Sequence, residues 1–289
     1  FRGKSNKHGD RRFLPSNRAF KGMMDIWIAV LLGVIEGLTE FLPVSSTAHL
    51  LLFGDILGFH QPGEVFPIVI QFGAILSVVV IYRQKFWNVF IGLWGDPKAR
   101  HFALSVIIAF IPSAVAGVLS YGFIKDVLFS PDVAPYVIAT TLIIGGLIIL
   151  IFERIAPKPS HHDPDHLPLT KCFQIGLCQI LAIVPGVSRS GATILGGELL
   201  GVERKAAAEF TFYLAVPTML GASVFDLYQN RDVLSLDAGL IIAVGFVVSF
   251  LVAWAVVKTF VGFVGRYGLR PFGWYRIAAG TVILAIMLL

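Results

Sequence analysis

The stretch that decides the fold is GVIEGLTEFLPVSSTAH, residues 33–49, an apolar run that a proline and three hydroxyl residues interrupt. It belongs to a longer apolar segment, 26–58, which is too short for two consecutive membrane spans, because these need about 40 apolar residues. Broken backbone persists in a bilayer only where it is buried in protein or lines a cavity. We therefore predict that residues 26–58 form a re-entrant helix–turn–helix.

A second segment, residues 171–201, is built in the same way around GLCQILAIVPGVSRS, residues 176–190. Its ordered matches to the first segment, with small shifts in spacing, are Gly33 with Gly176, Glu36 with Gln179, Pro43 with Pro185, Ser45 with Ser188 and Ser46 with Ser190. The resemblance indicates an internal repeat, in which each half contains one re-entrant pair.

Composition places the rest of the chain in a membrane as well. Of 289 residues, 56% are hydrophobic and 14% are charged, with a mean hydropathy of +0.80, whereas soluble domains carry about 25% charged residues. A short aromatic piece, residues 86–94, is predicted to lie at the interface. Stretches of about 20 mostly apolar residues predict six transmembrane helices: 64–82, 101–122, 133–152, 206–228, 237–257 and 271–289.

These segments define the predicted architecture. Each re-entrant pair is followed by three spans, so the halves are 24–152 and 171–289, joined by a polar cytoplasmic loop, 153–170. Because a re-entrant pair returns to its starting side, three crossings leave the second half inverted. The fold class is thus an all-α integral membrane protein with six transmembrane helices and two re-entrant helix pairs in an inverted-topology repeat.

The net charge of +5 does not indicate a nucleic-acid partner, because the charge is concentrated in one place. Residues 1–22 hold seven basic residues and one acidic residue, so the remaining chain has a net charge of −1. We predict that residues 1–23 are a disordered basic tail, either native or foreign to the protein. The two cysteines, Cys172 and Cys178, match no disulfide or zinc spacing and are interpreted as helix-packing residues.

Basic residues outside the spans set the orientation, because cytoplasmic loops carry an excess of Lys and Arg. One face carries Lys125 and Arg231. The other, predicted to be cytoplasmic, carries Arg83, Lys85, Lys98, Arg100, Arg154, Lys158, Lys171, Arg204, Lys205, Lys258, Arg266 and Arg270. The mouth of the first re-entrant pair then faces outward.

The candidate chemistry begins with Glu36 and Glu40, which are four residues apart and share one helix face. Two carboxylates in an apolar setting call for a cation, a shared proton or an arginine; the alternative is a purely structural role. They are the candidate ligands of a divalent cation, Mg²⁺ or Ca²⁺.

The next turn, residues 43–49, combines three hydroxyls and an imidazole at a helix start, where free N–H groups favour phosphate. One of Ser45, Ser46 and Thr47 is expected to cap the helix, and the others to bind substrate. His49 fits a nucleophile, an acid or a base, although a histidine satisfied within the core is the alternative.

PGVSRSGAT, residues 185–193, repeats this construction around Arg189. An arginine at membrane depth needs an anionic partner, and its planar fork suits phosphate, although a structural ion pair with Glu36 or Glu40 is the alternative. Further residues at this tip offer close backbone approach or donors for a substrate: Gly186, Gly191, Ser188, Ser190 and Thr193. Together the two turns describe a phosphoryl-transfer pocket inside a membrane.

EGLTEFLPVSSTAH (36–49) and PGVSRSGAT (185–193) resemble the two signature motifs of the bacterial undecaprenyl-diphosphatase family, over residues 24–289. The resemblance implies a membrane enzyme that hydrolyses undecaprenyl diphosphate, recycles the lipid carrier for peptidoglycan synthesis and confers bacitracin resistance. It also implies a site that opens to the periplasmic face of the bacterial inner membrane. The active residues that it implies are Glu36, Glu40, Ser46, His49 and Arg189.

The sequence leaves two assignments open. Ser46 is the preferred nucleophile, activated by His49 or Glu40, and His49 itself is the alternative nucleophile. A lipid-phosphate transporter or flippase is the rival function, because inverted repeats with broken helices are also transporter architecture. Expected partners are a polyprenyl diphosphate lipid and membrane lipids, and a homodimer is left open.

Two further features are interpreted as background. SHHDPDH, residues 160–166, contains metal-ligating residue types without helical spacing, and it is predicted to be a solvated loop. Gly145 and Gly146 are predicted to permit close helix packing.

Overall fold

The computed structural model describes residues 17–59, 65–229 and 239–288, and the regular elements in these ranges are helices. The α-helices are α1 Asn17–Thr39, α2 Ser46–Ile56, α3 Val65–Ile81, α4 Arg83–Gly92, α5 Pro97–Phe123, α6 Ala134–Ile155, α7 Leu169–Gln179, α8 Arg189–Leu199, α9 Arg204–Gln229, α10 Gly239–Tyr267 and α11 Arg270–Leu288. A π-helical turn, Ile124–Leu128, continues α5, and a 3₁₀ turn, Ile180–Ile183, follows α7.

Five helices in the described ranges are long and apolar enough to cross a membrane. They are α5 with its π turn, α6, α9, α10 and α11. The pair α3 and α4 also passes when taken together, with a bend of 72° between the two helices. The break falls between the predicted span 64–82 and the predicted interfacial piece 86–94. The all-helical, multi-pass membrane fold is therefore confirmed.

The helix pairing relates the two halves of the chain. In the first half α1 and α3 both pack on α10, and in the second half α7 and α9 both pack on α5. Helix α6 packs on α11 and α3 on α9, so these pairs join matching positions of the two halves. Exchanging the halves reproduces each of these pairings, as a repeat requires. The re-entrant path, the inversion and the exact domain boundaries stay predictions.

One matched pair of glycines makes the same kind of close helix contact in the two predicted halves. A Cβ built on Gly33 in α1 would lie 2.8 Å from the Gly245 carbonyl oxygen of α10. A Cβ built on Gly176 in α7 would lie 2.3 Å from the Ala109 carbonyl oxygen of α5. Only glycine allows these helices to approach so closely. The sequence match of Gly33 with Gly176 thus corresponds to the same packing contact.

The segment between the halves, predicted as a polar loop over 153–170, is docked on the protein. Leu167 is fully buried, and Asp165 forms an ion pair with Lys85. His161 forms an isolated bridge with Val202, while the Asp163 and His166 side chains are exposed and pair with each other. Solvation therefore applies to part of this loop only.

The predicted tail, residues 1–23, overlaps helix α1, which begins at Asn17, and residues 1–16 lie outside the described residues.

The two cysteines lie at helix contacts. Cys172 is buried and Cys178 lies against Gly196 at a helix crossing. These contacts agree with their interpretation as packing residues, and both thiols are free.

Candidate active site

The two interrupted segments meet at their turns. The first turn links α1 to α2, and the second links the 3₁₀ turn to α8. The Leu42 carbonyl oxygen of the first turn accepts hydrogen bonds from the Ser190 hydroxyl, at 2.8 Å, and from the Ser188 hydroxyl, at 3.3 Å. Residues 146 and 148 positions apart in the sequence therefore form one local structure.

Glu40 is the centre of this structure. Its Oε2 accepts a hydrogen bond from the Ser46 hydroxyl at 2.5 Å, and its Oε1 accepts one from Arg189 Nη2 at 3.1 Å. The Glu40 and Arg189 side chains are 5% and 12% exposed, so water screens this ion pair little. One carboxylate thus joins the predicted nucleophile to the predicted phosphate ligand.

Glu36 lies one helical turn before Glu40 and is fully buried. Neither of its carboxylate oxygens has a hydrogen-bond partner among the described residues, and Arg189 Nε is likewise buried without an acceptor. Buried polar groups are normally paired. Three buried polar atoms at this site therefore lack a hydrogen-bond partner: the two Glu36 oxygens and Arg189 Nε.

The two carboxylates, Glu36 and Glu40, would suit a divalent cation. Mg²⁺ is usually bound by one or two carboxylates, with phosphate oxygens and water as the other ligands, and Glu36 with Glu40 supplies the carboxylates. No group of three or more His, Cys, Asp or Glu residues in the described part of the chain could hold a metal by itself. A cation here would depend on the substrate for its remaining ligands.

His49 is buried, and its ring is held on both sides. Its Nδ1 donates to the Ser45 carbonyl oxygen at 2.7 Å, and its Nε2 lies 2.5 Å from the hydroxyl of Tyr275 in α11. The two rings stack with 5.6 Å between centroids. This arrangement directs the imidazole towards Tyr275. A chemical role of His49 stays a prediction, and the geometry favours Glu40 as the base for Ser46.

Ser45 has an unusual backbone conformation, with a φ of 71°. A non-glycine residue in this region is strained by about 1 to 3 kcal/mol, and such strain is concentrated at functional sites. The His49 ring nitrogen holds the Ser45 carbonyl, so the strained residue and the imidazole support each other. The strained residue immediately precedes Ser46, the predicted nucleophile.

A cavity of about 710 Å³ connects this centre to the far end of α5. Glu40, Ser46 and Arg189 line it at one part, and Lys125 and Asp226 line it at another. Ser45, Thr47 and Ser188 also line the cavity. Its remaining wall is mostly apolar side chains from α5 and α9. Such a cavity suits a ligand with an anionic head and a long apolar body.

Comparison with known proteins identifies the family. The model of a family described as "Bacitracin resistance protein BacA" matches residues 29–282. Undecaprenyl-diphosphatase 2 of Paramagnetospirillum magneticum is 52% identical over 262 residues, which are 90% of this chain and 98% of that protein. Undecaprenyl-diphosphatase 1 of Agrobacterium fabrum is 50% identical over 267 residues, 92% of this chain and 98% of that protein. The chain belongs to the BacA family.

Several predicted substrate ligands of this BacA-family chain are bonded within the protein. Ser188 caps α8 by accepting the Gly191 N–H at 3.1 Å, and Ser190 is fully buried. The Thr193 hydroxyl donates to the Arg189 carbonyl at 3.0 Å and accepts from Thr211 at 2.8 Å. The structure brings these residues to the site, and their contact with a substrate stays a prediction.

Sequence reasoning missed two residues of α11 that contact this site, Tyr275 and Arg276. Arg276 is 3% exposed and donates to backbone carbonyls of both turns. The available signal was an arginine inside the predicted span 271–289, because a charge at membrane depth requires a partner. The signal for Tyr275 was weaker, since tyrosine is common at membrane interfaces.

Gly186→Ala is expected to disable the site. Gly186 has a φ of 85°, and an added Cβ would lie 2.0 Å from the hydroxyl oxygen of Thr141. That hydroxyl donates to the Pro185 carbonyl at 2.7 Å, so the turn that carries Arg189 must move. We expect phosphatase turnover to fall about 100-fold, the loss typical of a displacement of about 1 Å.

Gly58→Ala is the matched control for backbone strain. Gly58 also has a positive φ, 60°, but nothing lies within 4 Å of an added Cβ. Both variants would be purified in detergent and compared for turnover and thermal unfolding. Equal loss of turnover in the two variants would show that strain alone, rather than the position of the second turn, explains the effect.

Proposed function

We propose that this chain hydrolyses undecaprenyl diphosphate to undecaprenyl phosphate and phosphate, and thereby recycles the lipid carrier for peptidoglycan synthesis. The observation that carries the proposal is the Ser46–Glu40–Arg189 chain of contacts in a cavity between membrane helices. The names of the relatives supply the substrate. We attribute the resistance in the family name to this conversion of the carrier from the diphosphate to the monophosphate form.

In the proposed reaction, the Ser46 oxygen attacks the terminal phosphorus while Glu40 accepts the hydroxyl proton. The Oγ–P bond forms, the bridging P–O bond breaks, and undecaprenyl phosphate leaves with the electron pair of that bond. Glu40 passes this proton to the departing undecaprenyl phosphate. Water then attacks the phosphoserine while Glu40 takes a proton from the water. The Oγ–P bond breaks, the proton returns to the Ser46 oxygen, and phosphate is released. The 2.5 Å contact between Ser46 and Glu40 supports this assignment.

Arg189 links substrate binding to the contacts of Glu40. In the free protein Arg189 Nη2 donates to one oxygen of the Glu40 carboxylate. A phosphate in the cavity would compete for the guanidinium fork, whose Nε has no acceptor. Transfer of Arg189 to the phosphate would free Glu40 when a substrate is present, and would stabilise charge on the transferring group.

A divalent cation is proposed to bind at Glu36 and Glu40. Such an ion would neutralise phosphate charge and hold the terminal phosphoryl group. The unpartnered oxygens of Glu36 support this position. Glu36 would hold the cation on its free oxygens, while Glu40 keeps its contact with Ser46.

The membrane arrangement is proposed from charge. Lys125 lines the cavity and belongs to the face that carries few basic residues, whereas the opposite face is rich in Lys and Arg. By the positive-inside rule the cavity then opens on the periplasmic face of the inner membrane. A lipid diphosphate left behind by cell-wall polymerisation would approach from that side.

Phosphate release by the purified chain tests the proposal. We expect one phosphate and one undecaprenyl phosphate per substrate consumed, with loss of activity in excess EDTA and recovery on addition of Mg²⁺ or Ca²⁺. Full activity in EDTA would overturn the cation site while leaving the phosphatase intact. Movement of the lipid across liposome membranes without phosphate release would indicate a transporter instead of an enzyme.

A further inference from the structure

Arg276 in α11 is buried and contacts only backbone carbonyls among its described hydrogen-bond partners. Nη1 donates to the Pro43 carbonyl at 3.1 Å. Nη2 donates to the Thr141 carbonyl and to the Gly186 carbonyl, each at 3.0 Å. One guanidinium therefore holds the first turn, the second turn and α6 together.

The two turn carbonyls occupy equivalent positions relative to the reactive side chains. Pro43 lies three residues before Ser46, and Gly186 lies three residues before Arg189. Each turn also contains a residue with a positive φ, Ser45 in the first and Gly186 in the second. A bond to each carbonyl therefore fixes the start of the helix that carries the reactive group.

Packing alone does not account for an arginine at this place. No carboxylate of the described residues forms an ion pair with Arg276, and its Nε has no acceptor. A buried charge without a counter-ion is costly, and an apolar side chain of similar volume is often equally stable or more stable. The three hydrogen bonds to backbone carbonyls offset part of the cost of burying this charge.

Helix α6 is shaped to receive this guanidinium. A Cβ on Gly145 would lie 2.2 Å from Arg276 Nη2, so the side chain occupies the space that the glycine leaves. The Thr141 hydroxyl, one turn earlier, donates to the Pro185 carbonyl at 2.7 Å. Both helices of the α6–α11 pair thus contribute to holding the second turn.

We propose that Arg276 is a positioning residue that fixes the spacing between the Ser46 turn and the Arg189 turn for phosphoryl transfer. The inference rests on the proposed function. Arg276 acts through the backbone of both turns, so its loss should lower the turnover number more than it weakens substrate binding. Its removal should leave the fold of the eleven helices in place.

The test compares kcat, KM and thermal unfolding for purified variants in detergent. Arg276→Met removes all three bonds, and we expect kcat to fall about 100-fold with KM changed less than threefold. Arg276→Lys keeps the charge and can reach one or two carbonyls, so it should recover part of the lost kcat. Unchanged kcat per folded molecule in Arg276→Met would overturn the proposal.

Gly145→Ala tests the same contact without removing the arginine, and it decides the question if Arg276→Met does not fold. The added methyl group should displace the guanidinium and lower kcat. The matched control is Gly146→Ala, whose Cβ would meet the Gly273 carbonyl oxygen at 2.6 Å in the same helix contact but not Arg276. Equal kcat losses at equal unfolding temperatures in these two variants would contradict the proposal.

The outcome for the wild-type protein separates this inference from the function on which it rests. Phosphate release by the wild type with undiminished kcat in folded Arg276→Met refutes the positioning role alone. Absence of phosphate release by the wild type refutes the proposed function instead.

Discussion

Arg189→Lys is expected to lower phosphatase turnover about 100- to 1,000-fold, although the positive charge is kept. Preorganised donors of this kind are typically worth that factor when one is removed. A lysine has a single ammonium group and cannot bond in parallel to two phosphate oxygens, as a planar guanidinium can. Steady-state phosphate release at saturating substrate would measure the loss.

Arg266→Lys is the matched control for that change. Arg266 is exposed on α10, and its described contact is with the Tyr267 ring. The same substitution there should leave turnover at the wild-type level. If Arg189→Lys also kept wild-type turnover, the role of Arg189 in holding phosphate would be wrong and its ion pair with Glu40 would be structural.

Ser46→Ala is expected to abolish turnover, by at least about 1,000-fold, because removal of a nucleophile leaves only binding and electrostatic stabilisation. The Ser46 hydroxyl is the one that Glu40 can deprotonate directly. Ser105→Ala, which removes a buried hydroxyl bonded to the Phe102 carbonyl of α5, should retain activity.

His49→Ala distinguishes the two nucleophile assignments within the same turn. With Ser46 as nucleophile and Glu40 as its base, this variant should be slower, because the Ser45 carbonyl beside Ser46 loses its contact, but it should keep residual activity. Its stacking on Tyr275 and its bond to Ser45 would be lost as well, so some loss of stability is expected. Complete inactivity of His49→Ala with activity retained in Ser46→Ala would reverse the assignment.

Much of the site could be predicted because each half carries its functional groups on a short, local motif. Glu36 and Glu40 are one helical turn apart, and Ser46 follows the proline that ends the first helix. The sequence also predicted that Arg189 would need an anionic partner, and the structure supplies Glu40. Local spacing and the cost of a buried charge were sufficient for these residues.

The supporting residues could not be predicted, because their contacts depend on how distant helices pack. Tyr275 lies 226 positions after His49, and Arg276 lies 233 positions after Pro43. Nothing in the local pattern of α11 indicates which carbonyls its arginine reaches. The same holds for Gln179, the counterpart of Glu36, whose amide donates to the hydroxyls of Ser113 and Thr218.

The docked loop between the halves illustrates the same limit. Its composition is polar and rich in histidine, which predicted solvation, but Leu167 is fully buried and Lys85 pairs with Asp165. The ammonium of Lys85 also lies over the rings of Phe102 and Tyr213. Lys85 therefore anchors the loop from an aromatic pocket between helices, and sequence periodicity does not reveal such a pocket.

Trapping of a phosphoenzyme tests the central claim, that Ser46, Glu40 and Arg189 form one reaction centre across the two halves. Undecaprenyl diphosphate labelled at the terminal phosphate would be mixed with wild-type protein and with Ser46→Ala, quenched rapidly and treated with mild acid. We predict acid-stable label on the wild-type protein and no label on Ser46→Ala, as expected of a phosphoserine. Acid-labile label that persists in Ser46→Ala would contradict the assignment and indicate attack by His49, and absence of label from both proteins would indicate direct attack by water at the Glu36 and Glu40 carboxylates.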